Sequence, residues 1–302
     1  MIEFKKLDIA NKARYDDFLL NCGQRGCEYN FANLYLWGRQ RAAFVDNNLV
    51  FFSQFNQRSV YLFPVCQGNV KDALDAIIHD SQTRDIPCRL TSLTHEDCDL
   101  LESLYPDRFR IHHDRNSFDY IYNIEDLATL KGKKFQKKRN HLNKFKQLHP
   151  DYRFVPLCDE NTPQVEDMLQ RWYKQKLEID PEGDFYMEQV AICRAMRHRE
   201  ELGMEGLVLM EGDEILAMSM GSPLAANTFD VQFEKAIDET AYVAMCSGFA
   251  SHLMEKYPTT LQYLNREDDL GIEGLRKSKL AYNPVFMIEK HWACLKEAGC
   301  EY

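Results

Sequence analysis

The segment KGKKFQKKRNHLNKFK, residues 131–146, separates two stretches of the chain that have the same predicted order of elements. In each stretch the apolar pattern predicts a strand, one or two amphipathic helices, a β-meander, and then further alternation of helix and strand. The hairpin of the first stretch falls at Ala42–Phe55, and the second stretch opens with a strand at Tyr152–Leu157. This order predicts a mixed α/β (α+β) fold of two similar halves, although no repeat is visible residue by residue.

The basic segment itself has the pattern of an amphipathic helix. Phe135, Leu142, Phe145 and Leu148 fall at spacings that place them on one face, with the cations spread over the other faces. We therefore predict an N-terminal domain over residues 1–130, a basic linker helix over 131–150 and a C-terminal domain over 151–302.

Charge is distributed unevenly along the chain. The 302 residues include 37 Lys and Arg and 47 Asp and Glu, a formal net charge of −10, which argues against non-specific coating of nucleic acid or anionic membranes. Residues 131–146 contain seven Lys, one Arg and no acid, so this window contributes +8 and the remainder of the chain −18. Such a segment suits a phosphate-bearing ligand, and it is also compatible with a solvated linker that balances an acidic body.

Composition and motifs exclude several classes of protein. A hydrophobic content of 45% with 12% aromatic residues is typical of a folded globular chain. The N-terminal residues lack the apolar core of a secretory signal, and no uncharged stretch is long enough to cross a bilayer. Ten cysteines without a CxxC pair and nine histidines without ligand spacing predict reduced, packed cysteines, no metal site and a cytoplasmic location.

Candidate catalytic residues lie in the second stretch. The predicted strand Phe229–Glu234 alternates apolar and polar residues, so Glu234 is a candidate general base in a cleft, unless the strand simply has one solvated face. Asn265 and Glu267 follow a second predicted strand, where ligands of α/β sheets commonly bind. Asp268 and Asp269 also follow this strand, but their position near the start of a predicted helix explains them as helix caps equally well as ligand-binding residues. Motifs typical of nucleotide-binding loops, serine hydrolases and zinc proteases are absent, which leaves direct transfer or simple binding.

Four segments together resemble one bacterial family. They are EYNFANL (28–34), KKFQKKRNHL (133–142), NREDDLG (265–271) and LRKSKLAYNP (275–284). The family resembled is one of unknown function whose domain is similar to the C-terminal domain of phosphatidylglycerol lysyltransferases. The resemblance implies two tandem GNAT-like (acyl-CoA N-acyltransferase) domains. The lysyltransferase relatives move an aminoacyl group from a charged tRNA to a lipid head group.

One departure from the GNAT pattern concerns the pyrophosphate loop. Residues 236–248 lack the Q/R-x-x-G-x-G/A sequence of acetyl-CoA users, and Asp238 and Glu239 stand where backbone amides would meet phosphate. The resemblance therefore does not extend to conventional binding of acetyl-CoA.

The function implied is an acyltransferase that takes an aminoacyl group from an activated ester, aminoacyl-tRNA. The acceptor would be an amine or hydroxyl of a small molecule, peptide or lipid, with tRNA bound through the basic helix. The alternatives are a CoA-dependent N-acyltransferase with an atypical pyrophosphate site and acyl-CoA as donor, and a non-catalytic anion-binding module. We assign Glu234 or Glu267 as the base, with Asn265 and Tyr282 shaping the catalytic cleft. The predicted substrate- and phosphate-binding residues are Lys134, Lys137, Lys138, Arg139, His141, Lys144, Arg276 and Lys277.

Overall fold

Helices and strands alternate along the computed structural model, which describes residues 1–23, 26–55, 58–181, 183 and 185–296. The helices are α1 (Lys12–Leu19), α2 (Phe31–Trp37), α3 (Val70–Thr83), α4 (His95–Leu104), α5 (Ile124–Thr129), α6 (Gln136–Leu148), α7 (Thr162–Ile179), α8 (Tyr186–Arg197), α9 (Arg199–Leu202), α10 (Glu239–Lys256) and α11 (Glu273–Leu280). The strands are β1 (Lys5–Lys6), β2 (Gln40–Val45), β3 (Asn48–Phe55), β4 (Arg58–Leu62), β5 (Val65–Cys66), β6 (Arg89–Leu93), β7 (Phe109–His113), β8 (Asp119–Asn123), β9 (Tyr152–Pro156), β10 (Glu205–Glu211), β11 (Glu214–Ala225), β12 (Thr228–Ala236), β13 (Tyr263–Asn265), β14 (Phe286–Ile288) and β15 (His291–Leu295).

Within the described residues the strands form two mixed sheets. The first sheet has the order β1-β2-β3-β4-β6-β15-β7, with β5 paired to β3, and the second has the order β14-β8-β13-β12-β11-β10-β9. The pairs β4–β6 and β12–β13 are parallel, whereas the meanders β2–β3–β4 and β9–β10–β11–β12 are antiparallel. The predicted α/β (α+β) class is therefore confirmed.

The chain divides into two compact units. Unit 1 consists of Met1–Tyr120, Glu267–Arg276 and Met287–Tyr302, and unit 2 consists of Ile121–Arg266 and Lys277–Phe286. The basic helix α6 belongs to unit 2. The domain boundaries drawn from the sequence at residues 130 and 150 stay a prediction.

Local patterns account for most of the elements. Asp46 and Asn47 join β2 to β3 with φ values of 45° and 59°, the backbone of a two-residue hairpin turn that suits Asp and Asn. The apolar pattern over Val285–Leu295 predicts a single closing strand, but this is wrong, because the segment forms β14 and β15, which lie in different sheets. The short helix α5 was not predicted, since six residues are too few to show a helical period.

The basic helix packs through two aromatic side chains. Phe135, just before α6, and Phe145 within it are both fully buried, whereas Leu148 is 56% exposed. The predicted apolar face is therefore right at its centre and ends before Leu148. Helix α6 contacts α10, which in turn contacts strands β10, β11 and β12 of the second sheet. This packing fixes the position of the cations of α6 relative to the sheet of unit 2.

Candidate functional site

A buried arginine lies at the centre of a polar cluster in unit 2. Arg266, which directly follows β13, is only 5% exposed. Its Nε atom donates a hydrogen bond of 2.9 Å to Oε2 of Glu234. Its Nη2 atom lies 2.6 Å from the same oxygen in an ion pair and donates a hydrogen bond to the hydroxyl of Tyr242. Nη1 is buried and has no hydrogen-bond partner among the described residues. A buried donor of this kind is costly unless a ligand or water accepts from it.

Aromatic rings surround the Arg266 guanidinium. Its Cζ atom lies 4.8 Å from the ring centroid of Tyr282 and 5.5 Å from the centroids of Tyr122 and Tyr242. Nζ of Lys138 lies 4.1 Å from the centroid of the same Tyr282 ring. Burial raises the pKa of the Tyr282 hydroxyl well above its ordinary value, so this ring stays neutral. Tyr282 therefore makes cation–π contacts with two cations at once.

Lys138 occupies a different place from the one predicted. Its side chain is 8% exposed and lies in the interior of unit 2, not on the solvent face of the helix. Because residue 138 comes three positions after Phe135 and seven before Phe145, it falls on the apolar stripe of the helix. Burial lowers the pKa of Lys138, Glu239 opposes this shift, and Arg266 adds to it.

Two other predicted phosphate ligands have local structural partners. Lys134 Nζ lies 2.7 Å from a carboxylate oxygen of Asp126. Arg139 Nη1 donates to the backbone carbonyls of Leu130 and Gly132 over 2.5 and 2.6 Å, which ties the start of the helix to the turn before it. By contrast, five lysines of the segment are exposed and make no ion pair within the part of the chain that the structure describes; these are Lys131, Lys133, Lys137, Lys144 and Lys146.

A surface cavity of about 400 Å³ lies where α6 meets the start of α10. Its lining residues are Asn140, His141, Lys144, Leu148, Asp238, Glu239 and Thr240. His141 Nδ1 lies 3.9 Å from Oε1 of Glu239. Of the predicted phosphate ligands, His141 and Lys144 thus line one cavity.

The amino end of α10 is already occupied by a carboxylate. Asp238 caps the helix and accepts from the backbone amides of Thr240 and Ala241 over 2.7 and 2.9 Å. Burial acts to raise the pKa of Asp238, but the hydrogen bonds from Ala241 and Thr240 outweigh it and lower the pKa. The amides that an incoming pyrophosphate would need therefore already bind an anion of the protein.

Two of the predicted site residues lie in unit 1. Glu267 Oε1 accepts a hydrogen bond of 2.9 Å from Asn33 Nδ2, and the backbone of Glu267 has a φ of 55°. Arg276 forms a two-pronged ion pair with Asp269, with both distances 2.8 Å. Arg276 is therefore bound within the protein, and the phosphate role predicted for it has no support from this geometry.

The remaining predicted residues lie in unit 2 together with Glu234, Tyr282 and the cations of α6. Asn265 ends β13 and is fully buried, and Lys277 is exposed on α11. The polar row of β12 is not solvated, because Asp230 is fully buried and the side chain of Glu234 is 11% exposed. Helices α7 and α10 both contact this strand and cover it.

Sequence reasoning missed Arg266, Tyr242 and Tyr122 as members of the cluster. Arg266 directly follows Asn265 in the segment that carries the resemblance, so its position was the available signal. The aromatic residues gave no signal, because their spacing is that of ordinary core residues.

The thiol of Cys246 interacts electrostatically with Arg266 and Glu234 of the cluster. Burial raises the pKa of the Cys246 thiol to about 11, so this thiol is protonated near neutral pH and is a poor nucleophile. Of the cysteines that the structure describes, eight have free thiols, whereas Cys294 is disulfide-bonded, against the prediction of reduced cysteines. Among the described helices, none has the length and hydropathy needed to cross a bilayer.

The fold and its sequence place the chain among acyltransferase-like proteins. The chain belongs to the family described as phosphatidylglycerol lysyltransferase, C-terminal, whose model matches residues 21–294. The crystal structure of a conserved protein of unknown function from Bacteroides thetaiotaomicron is 36% identical, with a TM-score of 0.92 over 98% of this chain and 100% of that one.

More distant relatives agree with this assignment of the fold. L-PGS from Bacillus licheniformis is 17% identical, with a TM-score of 0.68 over 97% of this chain and 93% of that one. The predicted architecture of two α/β units with mixed sheets flanked by helices is thereby confirmed. An uncharacterized protein of Mycoplasmoides gallisepticum is 29% identical over 178 residues, which span 58% of this chain and 56% of that relative.

Proposed function

We propose that the protein transfers an aminoacyl group from aminoacyl-tRNA to an amine or hydroxyl acceptor. The observation that carries this proposal is the row of exposed lysines on α6 that form no ion pair with any described residue. Lys137 and Lys144 are exposed and two helical turns apart, about 10 Å along the axis, while the adjacent side of the helix is buried through Phe145. Charges spaced along a helix suit an extended polyanion better than a single phosphate group.

The acidic remainder of the chain supports the same proposal. Its charge of −18 repels polyanions, so contact with a nucleic acid is restricted to the +8 segment. Membership of a lysyltransferase family adds the expectation that the ligand is a charged tRNA. The acceptor is a small molecule, a peptide or a lipid.

Transfer from an ester requires a positioned acceptor, a base and donors for the developing oxyanion. Arg266 supplies a candidate oxyanion donor, because its Nη1 is buried without a partner in the described part of the chain. Glu234 and Tyr242 hold the guanidinium in place through Nε and Nη2. Glu234 thereby gains a positioning role beside the role of base that we first assigned to it.

Asp238 weighs against the second candidate, a CoA-dependent N-acyltransferase. Its carboxylate occupies the amides at the start of α10 and would repel a pyrophosphate. Calorimetry with acetyl-CoA should therefore show no saturable binding. Saturable binding of acetyl-CoA would favour the second candidate.

The salt dependence of tRNA binding tests the proposal. Bulk bacterial tRNA should bind with a log Kd that changes linearly with log salt concentration, by about 0.7–0.9 per phosphate contacted. Replacing Lys133, Lys137 and Lys144 together by Gln should lower that slope by about 2–3. The matched control replaces three exposed lysines elsewhere, Lys5, Lys6 and Lys174, and should leave the slope unchanged. Equal slopes for both triple variants would contradict the proposal.

Turnover separates an enzyme from a binding module. With bulk tRNA charged with radiolabelled amino acids, the wild type should release label from the tRNA in the presence of acceptor lipids or peptides. Glu234→Gln and Glu267→Gln each remove one candidate base and keep the size of the side chain. Loss of release with retained tRNA binding in Glu267→Gln would assign the base to Glu267. The same loss in Glu234→Gln would show that the Glu234 carboxylate is needed, as the base or to hold Arg266, whereas full activity of both variants would exclude these two glutamates.

A further inference from the structure

Three histidines and one glutamate meet at one end of the strands β6, β15 and β7 in unit 1. His291 is the first residue of β15 and pairs in register with His113, the last residue of β7. On its other side His291 pairs with Leu93, the last residue of β6, and two residues further on His95 begins α4. Glu289 lies just before β15. The topology of the sheet therefore assembles four metal-ligating side chains from distant parts of the sequence.

The four side chains are close enough to act together. His95 Nε2 lies 2.8 Å from Oε2 of Glu289, and the ring centroids of His95 and His291 are 4.6 Å apart. One ligating atom from each of His95, Glu289 and His291 lies within 4.8 Å of the other two. His113 Nδ1 lies 3.0 Å from Nδ1 of His291.

His291 is the buried member of the cluster. It is 1% exposed, and its Nε2 is buried without a hydrogen-bond partner among the described residues. The contact between the two Nδ1 atoms requires that one of them carries the proton. When His291 donates this proton to His113, the Nε2 atom of His291 keeps its lone pair. A buried lone pair without a donor is costly, and a metal ion would satisfy it.

We propose that His95, Glu289 and His291 bind a divalent transition-metal ion, and that His113 holds His291 in the metal-binding tautomer. Two imidazoles and one carboxylate are a ligand set typical of Zn²⁺ with an open fourth position. Metal–ligand distances of about 2.0–2.2 Å put tetrahedral ligand atoms about 3.4 Å apart, so the cluster has to contract slightly. The side chains of His95 and Glu289 are 61% and 46% exposed and are free to make this movement.

The bound ion would join the start of β15 to the start of α4. His113 would act as an outer partner of the metal site, as carboxylates and carbonyls do for other metal-bound imidazoles. The roles of the ion and of His113 do not depend on the proposed acyl transfer, so this inference can be tested independently of the proposed function.

Titration of the chelator-treated full-length protein with Co²⁺ and Zn²⁺ tests the inference. The wild type should bind one equivalent of Co²⁺ with the visible bands of a four-coordinate ion and without a thiolate charge-transfer band, and Zn²⁺ should displace it. His95→Ala and Glu289→Gln should lose this equivalent, and because both side chains are exposed these variants should remain folded by circular dichroism. His113→Ala should weaken binding about 10- to 100-fold.

The matched control is His79→Ala, which removes an exposed histidine of α3 and should leave binding unchanged. Equal stoichiometry and affinity in the wild type, His95→Ala and Glu289→Gln would overturn the inference. A thiolate band in the Co²⁺ spectrum would overturn it as well, because the ion would then be bound by cysteine.

Discussion

Oε2 of Glu234 accepts a hydrogen bond of 2.9 Å from Nε of Arg266 and forms an ion pair with Nη2 of the same guanidinium at 2.6 Å. Both side chains are nearly excluded from solvent, at 11% and 4% exposure. Each charge therefore depends on the other, since neither can be hydrated well in the folded protein. The same pair leaves Nη1 of Arg266 as a donor without a partner among the described residues, so stability and the proposed chemistry depend on one contact.

Replacing Glu234 by Ala should destabilise the protein strongly. Arg266 would keep its charge in a buried position without a counterion, and we expect the free energy of unfolding to fall by about 3–5 kcal/mol. Urea denaturation followed by circular dichroism measures this change. Asp167→Ala, which removes an exposed partner of Arg171 in α7, is the control and should cost less than about 1 kcal/mol. Similar losses in the two variants would contradict the buried pair.

The buried amine of Lys138 should make stability depend on pH. Burial lowers the pKa of Lys138 in the folded protein, whereas the unfolded chain binds this proton up to about pH 10.4. Between the two pKa values the unfolded state binds more protons, so the contribution of Lys138 to stability improves as the pH rises. The free energy of unfolding of Lys138→Met minus that of the wild type should therefore decrease from pH 7 to pH 10. The exposed neighbour provides the matched variant Lys137→Met, and an identical pH trend in both would refute the prediction.

Asp269 should contribute stability that acid removes. The hydrogen bonds from Arg276 lower the pKa of Asp269 far below its ordinary value, against the opposing effect of burial. A lowered pKa gives stability that is fully present above about pH 3.9 and is lost as the pH falls toward the folded-state pKa. Asp269→Asn should be less stable than the wild type by about 2–3 kcal/mol at pH 7, with the difference shrinking between about pH 4 and pH 2. Urea titrations at pH 7, pH 4 and pH 2 measure this difference in stability. Asp99→Asn, which changes an exposed carboxylate, is the control.

Two helical glycines should respond to alanine with opposite signs. A Cβ at Gly248 in α10 would collide with the ring of Phe154, so Gly248→Ala should lower the free energy of unfolding by about 1–3 kcal/mol. At Gly274 in α11 a Cβ would meet no other atom. Gly274→Ala should therefore raise the free energy of unfolding by about 0.5–1 kcal/mol through better helix propensity. Thermal unfolding of both variants is the measurement. A loss of stability in both would show that the space around Gly274 is not free.

The sequence predicted those features that depend on local periodicity. The hairpin at Asp46 and Asn47, the helix α6 and the fold class all follow from patterns within short windows. Even the burial of Lys138 was readable, because it lies on the stripe between Phe135 and Phe145. The assembly of the cluster around Arg266 could not be predicted. Glu234, Tyr242 and Tyr282 come from separate elements, and the packing of these elements gives no periodic pattern in the sequence.

The histidine cluster was hidden for the same reason. Its ligands sit at positions 95, 113, 289 and 291, and the spacing rules for metal sites detect only ligands that are close in sequence. His112 and His113 are adjacent in a strand, so their side chains point to opposite faces and do not predict a joint site. His113 instead acts with His291, its partner across the sheet.

Because β15 lies between β6 and β7, the first sheet cannot be completed early during synthesis on the ribosome. Strands β6 and β7 emerge long before residues 291–295 are translated, and until then each has an edge that no neighbour covers. The first sheet therefore remains incomplete until the whole of unit 2 has been synthesised. The two exposed strand edges are therefore a site where the unfinished chain can pair with other chains and aggregate.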